Sequence, residues 1–326
     1  MLCGVERRIS GDTVHDWVHK EGVRLDRVQE RQIRRVQAIA LADLPEPPYQ
    51  PACTELDLYD PKFPEYVILT DGIPVKAQKS TRGKQPEKPI RIDPHQRTCK
   101  LHETDVWVLA RHDGTESVLC DGVSGRWSVV DAVRTCLRQE WSGVALSVVA
   151  VTDGAKKIRA DLLCLFGDRV RIVLDWYHLQ HRVYQLLCGM AHSSSEREVW
   201  QEQILSWLWQ GQMDEAVSFV RGLPPSSVRR EKDRSALLYY LEKHAGEIVN
   251  YQRRQLAGKV IGSGRMEKCV DQVIGRRQKE KGMSWSKRGS RSLAMVTAAQ
   301  LTAQGHPSKY RYYGYEAPSG YPGYTG

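Results

Sequence analysis

Apolar positions along the chain repeat with two different periods. Tyr66-Val67-Ile68-Leu69-Thr70 is apolar and β-rich and stops at Asp71-Gly72. Val106-Trp107-Val108-Leu109 and Ser117-Val118-Leu119-Cys120 flank Asp113-Gly114, which predicts a hairpin. Val130, Val133 and Leu137 share one face of a helix expected from about Ser128 to Glu140. Leu146 to Val151 is a nearly continuous apolar run ending at Thr152-Asp153-Gly154, the pattern of a strand covered on both faces. Ile158, Leu162, Leu165 and Phe166 then recur at helical spacing, and Val170 to Leu174 forms another short strand ending at Asp175. Three strands, a helix, a strand, a helix and a strand predict an α/β fold with a mixed sheet and helical crossovers.

The flanks read as helix. Ser10-Gly11-Asp12 opens a short amphipathic stretch with Val14, Trp17 and Val18, and a charged helix is expected from about Leu25 to Leu44. The proline cluster at 45–51 cannot continue it and makes a stiff linker. After Tyr177 the pattern is helical through Trp200, Ile204, Trp207, Leu208, Leu237 and Leu241. Gly262-Ser263-Gly264 interrupts it before a further amphipathic helix with Met266, Val270, Val273 and Ile274. The expected divisions are a helical region with its linker over 1–51, an α/β core over 52–180, a helical insertion over 181–258, the remainder of the core over 259–305, and a disordered Tyr/Gly tail over 306–326.

Of the 326 residues 41% are apolar and 27% charged, so the bulk is globular. No apolar run approaches the roughly 20 residues of a membrane-spanning helix, and the first eight residues hold no signal-peptide core, which predicts a cytoplasmic protein without membrane contact. Eight cysteines never form a CxxC pair and read as reduced thiols. The net charge of +9 is concentrated: twelve bases against three acids lie between Arg253 and Arg291. A charge so localised suits a polyanion such as nucleic acid, or else forms a solvated helical face. The candidate phosphate contacts are Arg276, Arg277, Lys279, Lys281, Lys287 and Arg288, with Lys76, Lys79 and Arg82 at the start of a basic loop that reaches Arg91.

Three acids stand at structural breaks. Asp71 and Asp153 follow strands, and Glu267 opens a helix past a Gly-Ser-Gly turn. Sheet edges of this kind gather side chains into one crevice, and in phosphodiester chemistry such carboxylates hold two Mg²⁺ ions about 3.5–4 Å apart. Each also has a plainer explanation. Asp-Gly is a common turn, Asp153 can serve as a helix cap and Glu267 as a favourable acid at a helix N-terminus, and Asp271, one turn on, competes for the third position. In Asp175-Trp176-Tyr177-His178 a strand-end acid precedes a histidine by one helical turn; no Cys or third His accompanies His178 and His181 at metal-ligand spacing.

Val151-Thr152-Asp153-Gly154-Ala155, Val173-Leu174-Asp175-Trp176-Tyr177-His178 and Ile261-Gly262-Ser263-Gly264-Arg265-Met266-Glu267, in that order, resemble the signature blocks of bacterial DDE insertion-sequence transposases, nearest the ISKra lineage allied to the Mutator-like group. Gly282-Met283-Ser284-Trp285-Ser286 with Arg288-Gly289 is similar to that family's C-terminal block. The resemblance covers about residues 65 to 295. It implies an RNase H-like (retroviral integrase superfamily) core, a helical insertion before the glutamate helix, and strand transfer dependent on Mg²⁺ or Mn²⁺. Its implied partner is double-stranded DNA, bound by a homodimer or higher multimer. Asp71, Asp153 and Glu267 match the family's catalytic, metal-binding acids, and Asp175 and His178 its C/D-x-x-H motif, expected to brace the acids. Members carry a helix-turn-helix near the N-terminus, and Ser10 to Gly22 looks like one helix of such a unit whose partner would lie upstream of Met1. A truncated, inactive copy that only binds DNA and an RNase H-like nuclease without strand transfer are the alternatives.

Overall fold

The computed structural model describes residues 11–41, 57–78, 101–111, 113–140, 146–280 and 283–305. The linker at 45–51, Lys79, Arg82, Lys281 and the Tyr/Gly tail therefore lie outside the described residues. Helix α1 (Gly11–Leu41) precedes strands β1 (Tyr66–Lys76), β2 (Leu101–Ala110) and β3 (Glu116–Cys120), helix α2 (Val129–Glu140), strand β4 (Val148–Thr152), helix α3 (Lys156–Phe166) and strand β5 (Val170–Leu174). Helices α4 (Trp176–Met190), α5 (Ser194–Trp209), α6 (Met213–Gly222), α7 (Glu231–Lys243) and α8 (Tyr251–Leu256) follow. Then come α9 (Gly264–Val270), a π-helical turn at Asp271–Gly275, α10 (Arg276–Gln278) and α11 (Lys287–Gly305).

The five strands form one mixed sheet in the order β3-β2-β1-β4-β5. β1, β2 and β3 pair antiparallel, and β1, β4 and β5 run parallel. The uninterrupted apolar run of β4 is explained by its central place: all five of its residues are buried. The expected turn at Asp71-Gly72 is instead the middle of a strand. Gly72 to Lys76 continue the ladder by pairing with Leu101 to Asp105, and the Glu103 and Asp105 carboxylates lie over Gly72, 2.8 and 3.1 Å from where a Cβ would stand. The hydrophobic pattern stopped at Thr70 because one face of this overrun is polar.

The two helices expected at the N-terminus are a single helix, α1. Its apolar residues Leu25, Ile33 and Val36 are buried, and it crosses α11 closely at Gly22, where a Cβ would approach Ser292 Cα to 2.6 Å. Ser292 Oγ and His19 Nδ1 are 3.2 Å apart at the same crossing. α11 in turn lies on β3, where Thr302 Oγ1 accepts from the Val118 backbone N–H at 2.9 Å. Ser128 and Asp131 cap α2 reciprocally.

Helices α4 to α8 dock on the β5 edge. The Leu174 N–H donates to Glu247 O at 2.9 Å, the Tyr251 hydroxyl donates to Leu174 O at 2.8 Å, and Trp176 packs against Trp209 and Tyr251 with ring centroids 4.8 and 4.9 Å away. Among the described residues no helix is long and apolar enough to cross a membrane, and Cys120, Cys164, Cys188 and Cys269 carry free thiols.

Candidate acidic site

Strand register brings three aspartates level. Leu69 of β1 pairs with Val151 of β4, which pairs with Val173 of β5. Asp71, Asp153 and Asp175 each stand two residues further along these neighbouring parallel strands, at the edge of the sheet where β4 and β5 end. The ladder reaches this level on the β5 side, since the Asp175 N–H donates to Thr152 O at 2.8 Å. Asp71 is half-buried, Asp153 is exposed and Asp175 is fully buried.

The environments differ with depth. Burial pushes the Asp71 carboxyl above the usual carboxylate range; a bond from the Gly72 backbone opposes this and the charge of Asp153 adds to it, with His178 and Lys279 acting in the opposite sense. Asp153 Oδ1 accepts from the Ala155 N–H at 2.8 Å, an Asx turn that leaves the carboxylate facing outward. Asp175 is the N-cap of α4: Oδ1 accepts from Tyr177 N at 2.7 Å and His178 N at 3.0 Å. Its other oxygen accepts from the Ser263 backbone N–H. Burial disfavours its charge, but the bonds to His178 and Ser263 outweigh burial and hold the carboxyl below its ordinary value.

Through Ser263 this buried acid fixes Glu267. Ser263 is the N-cap of α9, its carbonyl accepts from the Glu267 N–H at 2.9 Å, and the Trp176 N–H donates to Ile261 O at 3.0 Å. Gly262 is required here, because a Cβ would strike the Tyr177 ring at 2.6 Å. His178 Nδ1 lies 3.6 Å from Asp175 Oδ1. Asp175 raises the imidazole above its ordinary value, with smaller contributions from Asp153 and Glu267, so His178 sits in the field of all three acids. Asp271, the rival for the third position, is ion-paired with Arg276 at 2.9 Å on the π-helical turn.

Sequence reasoning missed a second shell of contacts from the helical insertion. Gly154, at φ +82°, has no room for a Cβ, which would meet His244 Cε1 at 2.7 Å. His244 is buried; Nδ1 is 2.5 Å from Glu247 Oε2, and Arg159 bonds the other oxygen of Glu247. Burial, with Lys243 and Arg159 nearby, pushes His244 down to about 4, so the neutral ring donates Nδ1–H to a carboxylate whose charge is engaged by Arg159. Tyr240 packs against His244 with the rings tilted by 54° and their centroids 4.8 Å apart. The available signal was His244 and Glu247 at i, i+3, but nothing local tied them to a glycine 90 residues earlier in the chain.

The basic segment divides into two kinds of residue. Arg254 and Lys259 are buried against Glu65, at 2.8 and 2.7 Å, Arg291 is bonded to Asp121 at 2.9 Å, and Arg265 meets Glu116 at 3.0 Å. Arg276, Arg277, Lys279, Lys287 and Arg288 are exposed, Arg276 through its pair with Asp271. Lys76 is exposed at the end of β1, where its carbonyl accepts from Trp285 N at 2.9 Å and so brings the strand end beside the segment.

As donors, Asp71, Asp153 and Glu267 suit a hard divalent cation: all are oxygen acids, and among the described residues none is ion-paired with Lys or Arg. Among the described residues no three His, Cys, Asp or Glu side chains close on one point. Mg²⁺ asks for less, since one or two carboxylates with water and substrate phosphate complete its shell. Compared with models of known protein families and with curated proteins, the chain matches none.

Proposed function

We propose that the chain is an RNase H-like DDE transposase that cleaves DNA at insertion-sequence ends and joins it to a target. The observation that supports this most is the level alignment of Asp71 and Asp153 on adjacent parallel strands, with Glu267 brought into the same field through the Asp175–Ser263 bond. The sheet order β3-β2-β1-β4-β5 and the exposed bases next to that edge agree with it.

Asp71, Asp153 and Glu267 would hold Mg²⁺ or Mn²⁺, which when bound supplies positive charge and lowers the pKa of a water or 3′-hydroxyl. Asp71, partly withdrawn from water beside Asp153, is pushed upward by burial, and a bound cation would favour its ionised form. His178, whose imidazole is shifted upward chiefly by its bond to Asp175, would stand beside these acids as a proton donor. Lys279 and the exposed bases after it would orient the DNA backbone against this edge. In this reading the protein works on double-stranded DNA, as a dimer or higher multimer that pairs two ends.

Purified protein with Mg²⁺ or Mn²⁺ and labelled element-end DNA, scored for binding, nicking and joining, tests the proposal. Asp71→Asn, Asp153→Asn and Glu267→Gln should each keep DNA binding and abolish cleavage, while Asp271→Asn keeps both. Near-normal nicking by one of the first three removes that residue from the site. Nicking without joining would make the protein a nuclease on the same fold, and binding without nicking an inactive remnant.

A further inference from the structure

The longest helix of the protein carries a stripe of bases that none of the chemistry above uses. Lys20, Arg24, Arg27, Arg31 and Arg34 recur on α1 at i, i+4, i+7, i+11 and i+14, one helical face about 21 Å long at 1.5 Å per residue. Three adjoining pockets of ≈ 550, ≈ 470 and ≈ 530 Å³ run along this face, and Arg27 lines all three. Their far wall carries Arg126, Lys287 and Arg288, so bases face one another across a single groove.

Local pairing neutralises only part of it. Arg24 is bonded to Glu21, and Arg34 and Arg126 share Glu30, at 2.7, 2.7 and 3.3 Å. Asp26, the other acid of the groove, is buried and accepts from the Ser124 N–H at 3.3 Å. Among the described residues Lys20, Arg27, Arg31, Lys287 and Arg288 have no carboxylate partner, and all five are exposed.

We infer that this groove seats the phosphate backbone of duplex DNA, and that α1 carries the basic surface of Lys287 and Arg288 onward from the acidic edge. The inference rests on the DNA partner of the proposed function and extends it to the N-terminal helix. Three observations select this occupant. The groove is walled by cations on both sides over a length that spans about twelve duplex phosphates, at one charge per about 1.7 Å. Its bases are long, flexible and regularly spaced, which suits a repeating anion and carries no base-reading geometry. A lipid surface fits poorly, because the apolar residues along the stripe, Leu25, Ile33 and Val36, are buried against the core; among the described large apolar side chains of the helix only Val14 and Trp17, at one end, are exposed.

The test uses the full chain and a fluorescent duplex of unrelated sequence, with binding followed by anisotropy over a salt series. The triple variant Lys20→Gln/Arg27→Gln/Arg31→Gln removes three exposed charges of the helix without touching the core or the bases already assigned to the acidic edge, and its thermal melt checks the fold. The expected result is a log–log salt slope lower by about three and weaker binding to every duplex alike. The control Lys62→Gln/Arg169→Gln/Lys232→Gln, equal in charge and exposed elsewhere, should leave the slope as it is. An unchanged slope and affinity in the groove variant, with wild-type protein binding DNA, overturns the groove and leaves the proposed function standing. Wild-type protein that ignores duplex DNA overturns both. Wild-type binding to phosphatidylserine vesicles in place of DNA, lost in the triple variant, assigns the groove to lipid and overturns the inference.

Discussion

The buried carboxylate of Asp175 bonds the backbone N–H of Ser263, 88 residues away, and through it sets the first turn of the helix that carries Glu267. Asp175→Asn keeps the volume but can turn an NH₂ toward that N–H, and the charge-assisted bond is lost. Catalysis should fall about 10–100-fold, the usual weight of a residue that orients a metal-binding acid. Asp175→Ala should also destabilise the fold by about 2–3 kcal/mol, from a charged bond and a helix cap lost in a buried place. Urea unfolding and nicking assays, run on both variants, separate the two effects. His178→Ala should lower nicking less, with partial recovery at raised Mn²⁺.

Gly154 and His244 make a matched pair. Gly154→Ala combines a positive φ with a Cβ 2.7 Å from the imidazole, so it should displace Asp153 and abolish nicking while duplex binding survives. Adding His244→Ala removes the collision but leaves about 1 kcal/mol of backbone strain. The double variant should therefore nick better than Gly154→Ala alone. Equal failure of both would mean the backbone angle, and not the contact, is decisive.

The buried His244 predicts a pH dependence. Its folded-state value, about 4, lies below that of the unfolded chain. Between about pH 6.5 and that value the unfolded chain holds the extra proton, so stability falls as pH falls through this window. Wild-type protein should lose more stability from pH 7 to pH 5 than His244→Gln, measured by chemical unfolding at both pH values. Parallel curves for the two proteins would assign the loss to other groups.

Arg254, counted in sequence among the bases of a polyanion-binding segment, is enclosed with Glu65 and donates to Val260 O at 2.7 Å as well. Arg254→Leu leaves a buried carboxylate with only Lys259 and should cost about 3–5 kcal/mol. The salt slope of DNA binding should not change. A lower slope with full stability would return Arg254 to the DNA surface.

The periodicity of apolar residues carried the order of strands and crossover helices, because each strand of the parallel half is covered on both faces and each helix shows a core-facing stripe. It stopped β1 early, since Asp71 to Lys76 has polar positions on the face shared with Glu103 and Asp105. Strand ends located Asp153 and Asp175, whereas Asp71, expected at a strand end, lies inside β1. Their common level is a matter of register between β1, β4 and β5, and no single segment encodes it. Asp271 and Glu267 lie one turn apart in sequence, and only the fold shows that Asp271 stands on a π-helical turn and pairs with Arg276. Charge counting erred in the same way: Arg254, Lys259 and Arg291 are spent on Glu65 and Asp121, partners far away in the chain.

The two ends of the described chain meet: α1 lies on α11, and α11 lies on β3. During translation the strands carrying Asp71, Asp153 and Asp175 leave the ribosome well before α9 and α11. At about 5–20 residues per second, the stretch from Asp175 to the end of α11 takes on the order of ten seconds to make. Through that interval the nascent chain holds three aspartates of the acidic edge without Glu267, and α1 waits for its packing partner. Completion of the acid set is thereby timed to the end of synthesis, and a protein cut short before α9 would hold Asp71, Asp153 and Asp175 at the sheet edge without Glu267.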